Sequence, residues 1–341
     1  MTGIRKLADH LKISIGTVSR ALNNRADVNP ETRRRVLEAA LELGYVANQS
    51  GRSLRRGATN TIGFVIETGG PASEAGDNFF FLLTDAMNAE FSSRGYDLVI
   101  LPCHSADDPV EFLARTVARG TVDALVITAT RRQDQRIALL SKSRMPFLTL
   151  GRSNTPGTYP WFDLDFEGIA QFSVGKLASL GHRRIAVVLP QGDESLGHYY
   201  LQGYLDGMAA AGLTVEQDLI LRLPTSEEGG FEAASRIARM AQPPTAVMIC
   251  SDATPVGFFS GLHAHGIQPG EDISVILFRE SPQTRFLDPK PACYQLDVRA
   301  LGEALSKSVL TMLHSDHSPP DREIWPMEFR EGRTLCPPKT R

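Results

Sequence analysis

Cysteine is scarce in this chain: four in 341 residues, at positions 103, 250, 293 and 336, far apart and without a C-x-x-C pair. That spacing excludes a disulfide framework and a cysteine-built metal site. Cys250, which closes an apolar run, reads as a reduced core residue. No apolar run reaches the ~20 residues that a membrane helix needs. The first residues also lack the apolar core of a secretion signal, so the sequence reads as a cytoplasmic protein. Internal repeats and low-complexity segments are absent. So are the common enzyme motifs, with no G-x-G-x-x-G, P-loop, G-x-S-x-G or H-E-x-x-H. The histidines are scattered: His104, His182 and His198 share no nucleophile spacing, and His182, in a turn before an apolar run, reads as structural. Enzymatic chemistry, a cofactor and a metal are accordingly not expected.

What is present is an uneven charge distribution. The net charge is only −3, yet residues 1–60 hold 11 Lys+Arg against 5 Asp+Glu, and the remainder holds 25 against 34. A basic head on an acidic body is the balance of a nucleic-acid reader joined to a separate domain. The length also exceeds the size at which one core stops growing, so two or three domains are expected.

Within the head, Ile4, Leu7, Ala8 and Leu11 fall on one face of a short helix. Ser14 stands as N-cap to a second helix with Val18, Ala21 and Leu22 inward. Two short helices joined by a polar turn form a helix-turn-helix pattern. Its second helix exposes Ile15, Gly16, Thr17, Ser19, Arg20 and Asn23, although an ordinary helical hairpin would show the same two helices. Asn29-Pro30-Glu31 then supply the N-cap, N1 proline and acidic first turn of a third helix. That helix has Val36, Leu37, Ala40 and Leu41 inward and Gly44 as its stop. A third helix supporting the second favours the DNA reader. A basic stretch follows from Asn48 to Gly57, with Leu54 as its isolated large apolar residue.

From residue 61 onward, short apolar runs alternate with helical patterns. Residues 62–66, 98–101, 124–127, 147–150, 185–189, 246–250 and 273–278 read as strands. Residues 79–93, 110–119, 169–180, 199–211, 231–240, 255–265 and 301–313 read as helices. Such alternation points to parallel sheets covered on both faces, and this many units point to two of them. Ligands of open α/β sheets bind beyond the carboxyl ends of the strands. There the sequence places Glu67 and Thr68, then Asn78 and Phe79; Arg152, Trp161, Asp163 and Asp165; and, later, Ser251-Asp252 and Arg279-Glu280. Carboxylates, arginines and rings suit a polyhydroxylated ligand, although polar strand ends occur on any α/β protein.

Several of these segments carry a family resemblance. Ser14-x-x-Thr17-Val18-Ser19-Arg20-x-Leu22-Asn23, Val28-Asn29-Pro30-Glu31-Thr32-Arg33 and Gly44-Tyr45-Val46-Ala47-Asn48 resemble the LacI/GalR family of bacterial transcriptional regulators. Arg52-Ser53-Leu54-Arg55-Arg56-Gly57 leading into Thr61-Ile62-Gly63 completes the match. The resemblance implies an all-α helix-turn-helix head (1–46), a hinge helix or linker (47–60) and an α/β core of two doubly wound, periplasmic-binding-protein-like lobes (61–341). The N-lobe would comprise about 61–160 and 291–323, and the C-lobe about 161–290 and 324–341.

The resemblance also implies roles. A homodimer would place two heads on a pseudo-palindromic operator in double-stranded DNA, with the start of each second helix at the base edges. The DNA-contacting residues would be Arg5, Ser14, Ile15, Gly16, Thr17, Ser19, Arg20, Asn23 and Asn24 in the head, with Asn48, Arg52, Ser53, Leu54 and Arg55 in the hinge. Ile15 and Gly16 depart from the commoner polar pair. Ile15 offers only apolar contact, for example to a thymine methyl, or packs onto the head's own core. Thr17, Arg20 and Asn23 would then carry more of the hydrogen bonding. Leu54 matches the leucine that wedges into the central base step, or is buried in the body or hinge pair. The linker is expected to order on the operator.

In the core, the resemblance implies an effector cleft lined by Asn78, Phe79, Arg152, Trp161, Asp163, Tyr200, Asp252, Arg279 and Glu280. Tyr200 stands where the family usually has arginine, and Leu277-Phe278-Arg279-Glu280 replaces Gly-Tyr/Phe-Asp-Asp, which puts a simple lactose- or galactose-like pocket in doubt. The 162–165 stretch is similar to regulators of glucoside-type sugar uptake. The resulting expectation is a sugar-controlled transcriptional regulator, a repressor in the first instance. A two-lobed sugar-binding transport protein would share the body but not the basic head.

Overall fold

The computed structural model describes residues 3–22, 25, 27–45, 58–68, 79–314 and 320–339. The chain divides into two compact units, residues 1–59 and 60–341.

The first unit has three helices: α1 (Ile4–Leu11), α2 (Ile15–Leu22) and α3 (Pro30–Glu42). Lys12 closes α1 in the left-handed region at φ 56, and its backbone N–H reaches back to the carbonyls of Ala8 and Asp9. Leu7, Val18 and Val36 are the sealed centre, joined by Ala8, Ala21, Val28, Ala39 and Ala40. The inward face of α3 differs from the expected one. Val36 and Ala40 point in, with Ala39 beside them, but Leu37 is 47% and Leu41 is 83% exposed. Two i,i+4 series overlap on this helix, 36/40 and 37/41. The small core closes on the one flanked by Ala39, because alanines let the three helices approach closely.

The second unit holds two six-stranded sheets. The first sheet contains β1 (Thr61–Glu67), β2 (Asp97–Cys103), β3 (Ala124–Ile127), β4 (Phe147–Leu150), β5 (Trp161–Leu164) and β11 (Arg322–Trp325). Its order is β2-β1-β3-β4-β5-β11, parallel throughout. Helices α4 (Phe79–Ser93) and α11 (Val298–His314) cover one face, and α5 (Pro109–Arg119) and α6 (Gln135–Lys142) cover the other. The second sheet contains β6 (Ile185–Pro190), β7 (Ile220–Leu223), β8 (Ala246–Ile249), β9 (Ser274–Leu277), β10 (Ala292–Gln295) and β12 (Glu328–Arg330). Its order is β7-β6-β8-β9-β10-β12, with β12 antiparallel at the edge. Helices α7 (Phe166–Ser179) and α8 (Ser195–Ala210) cover one face; α9 (Glu227–Arg239) and α10 (Pro255–Ala264) cover the other. The central strands are buried on both faces, which is why they are apolar throughout and carry the clearest sequence signal.

The chain passes between the lobes three times, and the passages lie a few residues from where they were expected. Trp161–Leu164 belongs to the first sheet, because Thr149 and Leu150 of β4 pair with Trp161 and Phe162. Ala292–Gln295 belongs to the second, pairing with β9. Arg322–Trp325 joins the first sheet along β5. Strands β5, β7, β10, β11 and β12 and helix α6 were not evident from the sequence pattern. They are short, peripheral or interrupted by charge, so tertiary pairing and not local periodicity decides them. No described helix is long and apolar enough to cross a membrane.

Candidate functional site

In the head, the start of α2 is held by its cap. The Thr17 backbone N–H donates to Ser14 Oγ at 3.0 Å, and the two hydroxyls lie 2.9 Å apart. This fixes the first turn and leaves Gly16 exposed beside Ile15, which is 42% exposed and so not a core residue. Arg20 is also exposed, with Nε 3.5 Å from Asp27 Oδ2, which steers its guanidinium without burying it. Ser19 and Thr17 are half-buried along the same helix, and Arg5 is exposed on α1. The loop before α3 is braced by Arg33, which donates to the Arg25 carbonyl at 2.6 Å, and by Asn29 Oδ1, which accepts from the Glu31 N–H at 2.8 Å. The arrangement presents an apolar side chain, a bare backbone position and a guanidinium on a rigid helix start. Asn23, Asn24, Asn48, Arg52, Ser53, Leu54 and Arg55 lie outside the described residues.

In the core, the carboxyl ends of the two sheets face each other and touch. The Ser195 N–H donates to the Thr130 carbonyl at 2.8 Å, and Arg131 pairs with Glu194 as an isolated bridge. Arg152, just past β4, lies at the centre of one cluster. Its Nε donates to Asp163 Oδ2 at 2.8 Å, a second nitrogen meets Glu167 at the start of α7, and the guanidinium lies 3.9 Å from the centre of the Tyr199 ring. Trp161 stands at 5.9 Å on another side. Burial pushes the Asp163 carboxyl up to about 6 against the opposing pull of Arg152. It is therefore ionised at neutral pH but titrates far above an ordinary carboxylate. Burial works against the charge on Arg152, but its two carboxylates more than offset this and raise its pKa.

A second cluster joins Arg279, just past β9, to Asp252, just past β8; the guanidinium lies 4.3 Å from the ring of Phe79 on the opposite lobe. Glu280 turns the other way, toward Arg285 at 3.3 Å and Lys290 at 3.8 Å. A third cluster sits at the end of β1, where Glu67 accepts from Arg131 and Arg136, and Arg136 also pairs with Asp134 at 2.7 Å. Burial opposes the charge on Asp134, yet Arg136 outweighs it and lowers the pKa.

The structure thus brings Arg152, Trp161 and Asp163 together, and Phe79, Asp252 and Arg279 together. Tyr200 differs from expectation. It is 0% exposed within the core of its lobe, where burial holds its hydroxyl protonated, and that hydroxyl has no hydrogen-bond partner among the described residues. The preceding residue, Tyr199, faces Arg152 instead. Tyr200 and Tyr204 share the inward face of α8 with Gly203 and Gly207, so that spacing could have turned Tyr199 outward. Glu167, Arg131, Arg136 and Asp134 were also missed. Of these only Asp134 had a local signal, as the N-cap of α6. Asn78 lies outside the described residues.

The family model described as "Bacterial regulatory proteins, lacI family" matches residues 4–48, and that of the "Periplasmic binding protein-like domain" matches residues 174–335. The HTH-type transcriptional regulator AglR of Rhizobium meliloti (strain 1021) is 30% identical over 332 residues, covering 96% of this chain and 92% of that protein. Among solved structures, the lac repressor dimer bound to operator and the anti-inducer ONPF is 20% identical. It superposes with a TM-score of 0.84 over 98% of this chain and 99% of that one. A CelR–cellobiose complex is 23% identical, with a TM-score of 0.73 over 98% of this chain and 100% of that one. The two structures establish likeness of fold.

Proposed function

Because the chain belongs to the LacI family of bacterial regulatory proteins and is a DNA-binding regulator of transcription, we propose that it is a homodimeric repressor whose hold on a pseudo-palindromic operator is set by a sugar in its interlobe cleft. The carrying observation is the Ser14-capped start of α2, which offers Ile15, Gly16 and Arg20 outward from a rigid three-helix core. Arg20 is the direct reader of this set and suits a guanine edge. Ile15 suits a thymine methyl, and Gly16 lets the backbone approach. Arg5, Ser14, Thr17 and Ser19 would contact phosphates and fix the register. The reader works where the chromosome is, in the cytoplasm, and has no catalytic role.

Exposed apolar side chains support the dimer. Phe81 and Leu82 on α4 and Val99 and Ile100 on the edge strand β2 belong to one lobe; Phe231, Val256 and Phe286 belong to the other. Large exposed apolar patches on soluble proteins mark contact surfaces. For the effector, the CelR structure contains cellobiose, and the cleft of this chain combines carboxylates, guanidiniums and rings. Signalling would be a population shift: the effector moves the DNA-bound fraction only by its differential affinity for two arrangements of the lobes. Selecting operators from random DNA and then measuring retention with added sugars tests the reading. A palindromic consensus, a steep loss of affinity with salt and a sugar that changes retention are expected. Recovery of no consensus would overturn it.

A further inference from the structure

Neither arginine of the effector cleft stands alone. Arg152 of the first lobe is engaged by Asp163 and Glu167 and stacked 3.9 Å from the Tyr199 ring of the second. Arg279 of the second lobe is engaged by Asp252 and stacked 4.3 Å from the Phe79 ring of the first. Each lobe therefore lays a guanidinium on an aromatic face of the other, and three carboxylates face two positive charges. All of these ion-paired side chains are buried or half-buried. The neighbouring Glu67–Arg131–Arg136–Asp134 cluster is closed on itself, and the further cation nearby, Arg132, is exposed, where water and salt screen its charge.

Resting on the reading of this cleft as a sugar site, we propose that the effector is an uncharged glycoside and that the cleft rejects phosphorylated sugars. A carboxylate beside a guanidinium presents acceptors and donors side by side. Vicinal hydroxyls satisfy both, donating to one and accepting from the other, with no change in net charge. Trp161, half-buried and 5.9 Å from the Arg152 guanidinium, then offers a ring to the apolar side of a sugar. A phosphate dianion has no such fit. It has to draw a guanidinium off its carboxylate, leaving that carboxylate buried, unpaired and next to a second negative charge. The protein would thus read a sugar before any kinase step. The reaction class that supplies the effector is glycoside uptake or glycan hydrolysis, and the class that consumes it is phosphorylation or glycosidic cleavage.

Trp161 lies 5.9 Å from the Arg152 guanidinium, and both tryptophans of the chain, 161 and 325, lie outside the basic head. Tryptophan fluorescence of the full chain therefore reports on the core without interference from phosphate bound at the head. The titration uses matched pairs: glucose and glucose 6-phosphate, trehalose and trehalose 6-phosphate, cellobiose and cellobiose 6-phosphate. A response to a neutral sugar, with its ester at least ~100-fold weaker, is the expected result. An ester binding as tightly as its parent overturns the proposal. If no sugar of either kind alters fluorescence or DNA retention, the sugar reading itself falls. Inorganic phosphate then decides the charge argument, compared between the native chain and Glu167→Gln. Silence in the native chain with a response in Glu167→Gln supports it; a native response, or silence in both, overturns it.

Discussion

The same substitution at two glycines of one helix pair should act with opposite signs. Gly203 lies on the face of α8 that packs against α7. A Cβ there would stand 2.2 Å from the Glu167 carbonyl oxygen and 2.7 Å from the Glu167 Cα, both backbone atoms that cannot swing away. Relieving the clash requires the helices to part by about 1 Å, an overpacking cost of roughly 1–3 kcal/mol. Alanine's better helix propensity returns only about 1 kcal/mol of that. Gly203→Ala should therefore destabilise, by up to about 2 kcal/mol. Gly175, on the exposed side of α7, has nothing within 4 Å of the same added atom. Gly175→Ala should stabilise by about 0.5–1 kcal/mol, through the less flexible unfolded chain. Urea unfolding followed by circular dichroism separates the two, with midpoints moving in opposite directions. The clash also bears on the cleft. Moving the Glu167 backbone pulls its carboxylate away from Arg152, so Gly203→Ala should weaken effector binding while Gly175→Ala leaves it intact. Two midpoints shifted the same way would refute the packing argument.

Other perturbations follow from the same structure. His182 is buried, with its ring nitrogens 2.8 Å from Thr245 Oγ1, 3.0 Å from Ser274 Oγ and 2.8 Å from the Cys336 carbonyl oxygen, and burial lowers its pKa below the ordinary 6.5. The unfolded chain therefore binds that proton more readily. The contribution of His182 is fully present above pH 6.5 and is lost on acidification below it, by up to about 1.4 kcal/mol per pH unit. The folded chain takes up a proton at Asp163 near pH 6, which opposes this slope. The His182 contribution is therefore read as the difference in urea midpoints between the native chain and His182→Asn from about pH 7.5 to 5, and that difference should shrink on acidification. Asp134→Asn leaves the buried Arg136 paired with Glu67 alone inside the first lobe and should cost up to about 3–5 kcal/mol in urea unfolding. In the head, Arg20→Ala should lower discrimination at one base position by about 1–3 kcal/mol. Arg5→Ala should weaken binding to all sequences alike and reduce the salt slope by about one. Competition binding with operator and scrambled duplexes distinguishes the two.

What could be read beforehand depended on how local the cause was. The head was legible because its caps and turn are neighbours in sequence: Ser14 with Thr17, Asn29 with Glu31. The strands legible from pattern were continuous apolar runs, most of them buried on both faces such as Ile185–Pro190, with the edge strand β2 among them. β5 was missed because Trp161-Phe162-Asp163-Leu164 interrupts its apolar run with an aspartate whose partner, Arg152, lies across a loop. The inward face of α3 was ambiguous between two equally spaced series, and only the closeness of the neighbouring helices selects Val36 and Ala40. In the cleft, residues beyond strand ends were legible as a set. Their pairings were not, because the contacts of Arg279 with Phe79 and of Arg136 with Glu67 span distant stretches of chain and, in the first case, two lobes. Tyr199 and Tyr200 differ by one helical step, which separates the cleft from the core.

The most direct measurement compares the intact chain with a fragment of residues 60–341 on a duplex selected from random DNA, in moderate salt, with and without a neutral glycoside that binds the core. The intact chain should hold the duplex and change its grip when the glycoside is added. The fragment should bind the glycoside as before and show no preference for the duplex. Retention by the fragment at the intact chain's affinity would contradict the assignment of DNA reading to the first three helices.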